Sequence, residues 1–186
     1  MPAGGPRTTG AKRKPKMNNL YLVGMMGSGK SVTGKKLAAL LGYAFVDLDQ
    51  WIEEKHRRSI TEIFEKEGET FFRAQEAVLL AEACGAGPRV VATGGGTVLR
   101  PENVERMQAT GKVIYLETSL GLLWHRVKSK QDRPLLKGAD PKTSLASIFE
   151  ARRPLYEKSA DFSVNTDGQT AEKVARKILE ELRKIS

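Results

Sequence analysis

Eight consecutive residues constrain this chain more than any other feature. Gly24-Met25-Met26-Gly27-Ser28-Gly29-Lys30-Ser31 fits the pattern G-x-x-x-x-G-K-[ST]. The run follows an apolar segment, Leu20-Tyr21-Leu22-Val23, and opens a stretch with helical spacing. Glycines at 24, 27 and 29 let the backbone turn tightly and aim its N–H groups inward at phosphate oxygens. The helix that follows adds the positive end of its dipole. Lys30 then neutralises charge on the β- and γ-phosphates, and Ser31 offers a hydroxyl to Mg²⁺. Residues Gly27, Ser28, Gly29, Lys30, Ser31 and Val32 are therefore read as the cradle of a nucleoside triphosphate. Such a cradle does not name the phosphoryl acceptor.

A strand, a glycine loop and a helix in this order belong to a parallel sheet, and the rest of the chain keeps the alternation. Apolar clusters at 20–23, 44–46, 90–92, 113–116 and 161–164 read as short buried strands. Helical patterns lie between them: Leu37, Leu40 and Leu41 share one face, as do Ile60, Ile63 and Phe64. Pro101 suits a first helical turn, and Thr170 suits the cap of the last helix. The expectation is an α/β fold: a five-stranded parallel sheet with helices on both faces. With 186 residues the chain is long enough for one such core.

Composition excludes several alternatives. The single Cys84 rules out a disulfide framework and a multi-cysteine zinc site. No apolar run approaches the ~18 residues that cross a bilayer, so neither a membrane span nor a membrane partner is expected, and the cytoplasm is the expected compartment. The net charge of +9 invites a nucleic-acid reading, but Arg7, Lys12, Arg13, Lys14 and Lys16 supply five of those charges before the first apolar run. Nine less five leaves +4 on the remainder, which suits small anionic ligands as well as a polynucleotide. Residues 1–16 are read as a disordered basic tail without the apolar core of a secretory signal, an organelle-targeting or nucleic-acid-binding arm being the alternative. Residues 17–186 are read as the single folded domain, expected to be monomeric and not to bind nucleic acid.

Two further runs point to the acceptor. The second strand ends in Asp47-Leu48-Asp49, whose carboxylates at i and i+2 share a face of the strand. At the C-terminal edge of a parallel strand, one carboxylate can help hold Mg²⁺ through its water shell, and the other can orient or deprotonate an attacking hydroxyl. Thr93-Gly94-Gly95-Gly96 follows another strand and removes side chains from one patch. By itself such a run is either a flexible turn or the floor of a binding site.

Taken in order, GMMGSGKS, the VDLD strand end, Phe-Phe-Arg73, the TGGG turn, Arg133-Pro134-Leu135-Leu136 and Arg152-Arg-Pro-Leu-Tyr156 resemble the shikimate kinase family, over essentially all of 17–186. The resemblance implies ATP, Mg²⁺ and shikimate as ligands and transfer of the γ-phosphoryl group to the 3-hydroxyl of shikimate. It places Asp47 near the metal with Ser31, and Asp49 on the acceptor hydroxyls. It makes Arg73 and Arg152 the clamp on the shikimate carboxylate, a role that planar, bidentate guanidinium groups suit better than lysine. Arg152 rather than Arg153 follows from the register to the next proline, since either residue alone can face solvent. Gly95 is implied as the main floor contact, with Gly94 and Gly96 shaping it. Arg126 is implied to stack on adenine, and Arg133 to reach both substrate and transferring phosphate from a mobile lid.

The segment from about 128 to 141 is polar, basic and punctuated by Pro and Gly, as a movable flap requires. His56 and His125 are too isolated for a metal pair, Cys84 reads as a small packed residue, and Trp51 as packing beneath the site. Val164-Asn165-Thr166-Asp167 stands where the family borders adenine, without the proline often found there. Lys30, Asp49 and Arg133 are the expected catalytic residues. The rivals are a gluconate or nucleoside-monophosphate kinase, a nucleotide-binding module without activity, and a nucleic-acid-binding protein resting on the basic tail.

Overall fold

The computed structural model describes residues 18–129, 134–136 and 140–185. The basic segment 1–16 lies outside them, as do Arg133 and the parts of the expected lid at 130–133 and 137–139.

The chain alternates strand and helix as expected. β1 (Asn19–Val23) leads through the glycine loop into α1 (Lys30–Leu41), and β2 (Ala44–Asp47) leads into α2 (Leu48–His56) and α3 (Ile60–Gly85). There follow β3 (Arg89–Ala92), α4 (Pro101–Thr110), β4 (Gly111–Glu117), α5 (Leu120–Val127), α6 (Pro141–Ser159), β5 (Phe162–Asn165) and α7 (Ala171–Lys184). Pro101 occupies the first turn of α4, and Thr170 caps α7 by accepting from the Lys173 N–H. The strands form one parallel sheet in the order β2-β3-β1-β4-β5. Side chains alternate across it. Tyr21, Val23, Val91, Val113 and Tyr115 pack beneath side chains of α2 to α6, whereas Leu20, Leu22, Val90, Ile114, Leu116 and Val164 pack against α1 and α7. Both faces are thus covered by helices.

Three details differ from the expectations. Leu40 is exposed, because the buried stripe of α1 runs through Lys30, Thr33, Gly34, Leu37 and Ala38. Gly34 turns that stripe toward the sheet: a side chain there would collide with the Phe45 ring, at 2.5 Å from its Cε2. β2 is an edge strand, with Ala44 exposed and the rest half-buried, so it is not buried on both faces. Finally, the strand stops at Asp47. Asp49 sits in the first turn of α2, so the two carboxylates converge through a helix cap and not by strand alternation.

The order of strands positions the site. β1, β3 and β2 are neighbours, so the loops at their C-terminal ends meet: the glycine loop, the Thr93–Gly96 turn and the Asp47–Asp49 cap. The chain leaves β1 toward β2 and returns past it to β4, which makes this edge the crevice where α/β sheets bind ligands. α3 crosses behind it, broken at Gly68, whose φ of 81° and ψ of 170° interrupt the helix.

Candidate active site

A cavity of about 740 Å³ opens at this sheet edge. Gly27, Ser28, Gly29, Lys30, Ser31, Val32, Asp47, Asp49, Arg73, Gly94, Gly95, Gly96, Arg126 and Arg152 all line it. Every described candidate residue is therefore brought together, and Arg133 alone of the candidates lies outside the described residues.

At the phosphate end, Lys30 is nearly buried, and its Nζ donates to the Gly24 and Met25 carbonyls at 2.8 and 2.9 Å. Arg126 reaches across from α5 and donates through Nη1 to the Gly27 carbonyl at 2.9 Å. Ser31 Oγ donates to Asp47 Oδ2 at 2.5 Å. The other carboxylate oxygen, Asp47 Oδ1, accepts from the backbone N–H groups of Asp49 and Gln50. An acidic cap suits a helix N-terminus, so one aspartate both ends β2 and presents an oxygen beside Ser31.

At the opposite end, Arg73 is held between two carboxylates. Its Nη1 donates to Glu76 Oε2 at 3.0 Å, and its Nε and Nη2 donate to Glu69 Oε1 at 3.2 and 3.0 Å. Burial works against the guanidinium charge, but Glu76 and Glu69 together outweigh it and raise the Arg73 pKa above its ordinary value. Glu76 has no exposed surface, and its Oε1 accepts from Thr97 Oγ1 at 2.5 Å. The glycine turn lies directly on this assembly. A Cβ on Gly94 would overlap the Glu76 carboxylate and come within 2.9 Å of Asp49 Oδ1, and one on Gly96 would overlap the Arg73 guanidinium. The run of glycines is required by this close approach.

α6 supplies the second arginine. Arg152 is 7% exposed and borders Gly95, whereas Arg153 is exposed and pairs with Glu157 at 2.8 Å. One helical turn after Arg152, Tyr156 is fully buried and stacks on Tyr115, with ring centres 5.3 Å apart. On the remaining side, Thr166 and Gln169 come from the turn after β5, so this turn contributes to the cavity without a proline. Thr166 Oγ1 and Thr118 Oγ1 share a hydrogen bond of 2.7 Å beneath it.

Several lining or supporting residues have no role assigned from the sequence: Glu76, Thr97, Tyr156, which appears there only as the end of a motif, and Gln169. Glu76 carried a usable signal, since it continues the buried stripe of Phe72, Leu79 and Leu80. A carboxylate on such a stripe needs a partner, and Arg73 stands three residues before it. Among residues read as structural, Trp51 packs against the core, and Cys84 accepts a hydrogen bond from the Tyr21 hydroxyl at 2.9 Å. His56 meets Gln75 at 3.1 Å, and His125 is exposed. Among the described residues no group of three or more His, Cys, Asp or Glu is placed to hold a metal, and no helix is long and apolar enough to cross a membrane.

A glycine-loop phosphate cradle sharing one cavity with two largely buried arginines, on a 2-3-1-4-5 parallel sheet, defines a P-loop kinase for a small acceptor. Comparison with known proteins narrows the class. The family model described as shikimate kinase matches residues 26–183. The shikimate kinase of Halorhodospira halophila is 45% identical over 89% of this chain and 94% of its own length, and that of Thermodesulfovibrio yellowstonii is 41% identical over 91% and 98%. Among solved structures, a shikimate kinase from Acinetobacter baumannii in complex with shikimate superposes with a TM-score of 0.89 at 39% identity, covering 91% of this chain and 95% of that one. A gluconokinase from Sinorhizobium meliloti shares the fold at a TM-score of 0.59 and 17% identity. The chain belongs to the shikimate kinase family. Its activity is the ATP-dependent phosphorylation of shikimate at the 3-hydroxyl, giving shikimate 3-phosphate and ADP, a step in aromatic amino acid biosynthesis.

Proposed function

We propose that the two ends of the cavity divide this reaction between them. The backbone N–H groups of 27–32 and Lys30 hold the β- and γ-phosphates, with Lys30 exchanging its loop carbonyl contacts for phosphate oxygens. Arg126 covers the base. Arg73 and Arg152, coming from different helices, grip the shikimate carboxylate, and Gly94, Gly95 and Gly96 form the floor against which the ring lies. Asp49 orients the 3-hydroxyl and stands ready to receive its proton. A loose phosphoryl transition state demands little base assistance, so positioning is the larger part of its work. Arg133, from the lid, meets the charge developing on the transferring group.

Ser31 and Asp47 fit a magnesium ion, since they put two hard oxygen donors 2.5 Å apart at the mouth of the phosphate loop. The ion would be held by Ser31, by Asp47 through water and by the nucleotide itself, and it would supply charge neutralisation on the β- and γ-phosphates.

The observation that carries this reading is the convergence on one cavity of a complete phosphate loop and two largely buried arginines. The test is ADP release from ATP with Mg²⁺ in the presence of shikimate, with quinate, gluconate and AMP as parallel acceptors. Turnover that depends on shikimate and on the metal is expected. Faster turnover with another acceptor refutes the assigned clamp, and ATP binding without turnover refutes the assigned chemistry.

A further inference from the structure

Tyr156 has no place in the scheme above, yet it touches both halves of the site. The spacing of four residues on α6 puts it on the same face as Arg152. Its ring is fully buried against Tyr115, and its Oη donates to the Gly95 carbonyl at 2.5 Å. The same Oη lies 3.6 Å from Met25 Sδ, in the phosphate loop. Burial pushes the phenol pKa well above its ordinary value, more than Arg152 pulls it down, so the hydroxyl keeps its proton across the working pH range.

The carbonyls of the glycine turn are tied down in two ways. Gly94 O accepts from the Thr97 N–H and Gly96 O from the Leu99 N–H, both within the turn itself. Gly95 O instead accepts from the Tyr156 side chain. The Gly95–Gly96 peptide is trans and planar, so its N–H points away from the direction in which its carbonyl is held. Among the described residues the Gly96 N–H has no acceptor, and Gly96 lines the cavity. Without a side chain on either flanking residue, this peptide is free to rotate unless something anchors it.

We infer that Tyr156 is a positioning residue of the acceptor site: its hydroxyl fixes the Gly95–Gly96 peptide so that the Gly96 N–H is presented to shikimate. This rests on the assignment of the glycine turn as the acceptor floor. Tyr156 never touches the reacting atoms; it acts through the backbone, and it aligns that backbone with Arg152 on its own helix.

The experiment compares the wild type with Tyr156→Phe, which deletes only the hydroxyl, and with Tyr115→Phe, which trims its stacking partner. KM for shikimate rises about tenfold in Tyr156→Phe, the scale of one lost buried hydrogen bond. KM for ATP and the melting temperature stay close to wild type, and Tyr115→Phe leaves KM for shikimate unchanged. An unchanged KM for shikimate in Tyr156→Phe overturns the inference. So does a parallel loss for both substrates together with a lowered melting temperature, which marks a purely structural role. If Tyr156→Phe does not fold, the ¹⁵N–¹H spectrum of the wild type decides. The Gly96 amide proton moves downfield as shikimate is titrated in, and a Gly96 resonance indifferent to saturating shikimate overturns the inference. Failure of the wild type to turn over shikimate at all refutes the proposed function first, and is separately visible.

Discussion

Replacing Glu76 by Ala tests the arrangement of the acceptor end most severely. The substitution removes a carboxylate with no exposed surface and leaves the Arg73 side chain, 12% exposed, with only the half-exposed Glu69 as partner. It also strips Thr97 Oγ1 of its acceptor. Removing one member of a buried ion pair costs about 3–5 kcal/mol. Arg73 keeps its two contacts to Glu69, so the lower end, about 3 kcal/mol, is expected here. That corresponds to a melting temperature lowered by roughly 6–12 °C in a domain of this size. Arg73 also loses the contact that sets its guanidinium flat against Gly96. A charge-assisted hydrogen bond to the acceptor carboxylate is worth about 1.5–3 kcal/mol, so KM for shikimate rises roughly 10- to 100-fold. Glu76→Gln is the control. Its amide oxygen still accepts from Arg73, and its NH₂ group donates to Thr97, whose hydroxyl can turn to accept. It recovers most of the lost stability while keeping part of the KM defect. The assay is coupled ADP release with each substrate varied in turn, beside a thermal melt. A wild-type KM for shikimate in Glu76→Ala, or an equal rise for ATP, refutes the reasoning.

The remaining predictions concern the second arginine and the alkaline limit. Arg152→Ala raises KM for shikimate roughly 10- to 100-fold with ATP binding intact, whereas Arg153→Ala, which removes an exposed pair with Glu157, changes neither. Equal effects from the two substitutions would remove Arg152 from the clamp. Burial, helped by Glu117 and Glu157, pushes the Tyr115 hydroxyl up to about 12, and burial likewise raises Tyr156 and Tyr21. In the unfolded chain these groups ionise near ~10. The folded state therefore holds protons that the unfolded chain releases: their contribution to stability is whole below about pH 10 and drains away as pH climbs toward the folded value. Tyrosinate absorbance should rise together with loss of far-ultraviolet ellipticity between about pH 10 and 12. Complete ionisation near pH 10 with the fold intact would contradict the burial of these rings.

Much of this molecule is legible in its sequence, and unevenly so. The five strands fall where apolar runs stand between turn residues, because a doubly covered parallel sheet needs little more than such runs. The phosphate loop is legible because its chemistry dictates residue types at fixed spacing. Leu40 misled because a helix face is defined by what it packs against, and Gly34 under the Phe45 ring outweighs a leucine. Asp49 was placed on a strand because nothing in Val-Asp-Leu-Asp marks where β2 stops; the cap that stops it is Asp47 itself, bonding forward to the backbone. Glu76 and Tyr156 stayed hidden for a different reason. Beyond the nearby Arg73, Glu76 is tied to Thr97, and Tyr156 is tied to Gly95; these partners distant in sequence are set by the fold.

The break at Gly68 has a consequence for how the wall of the acceptor site tolerates change. The segment before it belongs to α2: Ser59 and Glu62 close a capping box, Glu53 accepts from the Ile60 N–H, and Arg58 pairs with Glu67. The segment after it belongs to the glycine turn, through Glu76 and Thr97. No atom outside its immediate neighbours would meet a side chain on Gly68, so only the backbone conformation holds that position open to glycine. The two segments still meet across the break: Thr61 and Phe64 before it and Arg73 after it line one cavity, and the Phe64 ring packs on that of Phe72, with centres 4.8 Å apart. A change at Phe64 is therefore passed to Phe72 and on to the Arg73 guanidinium that lies 5.1 Å from its ring centre, so a stabilising programme that straightens the helix here would shift both ends of this aromatic relay at once.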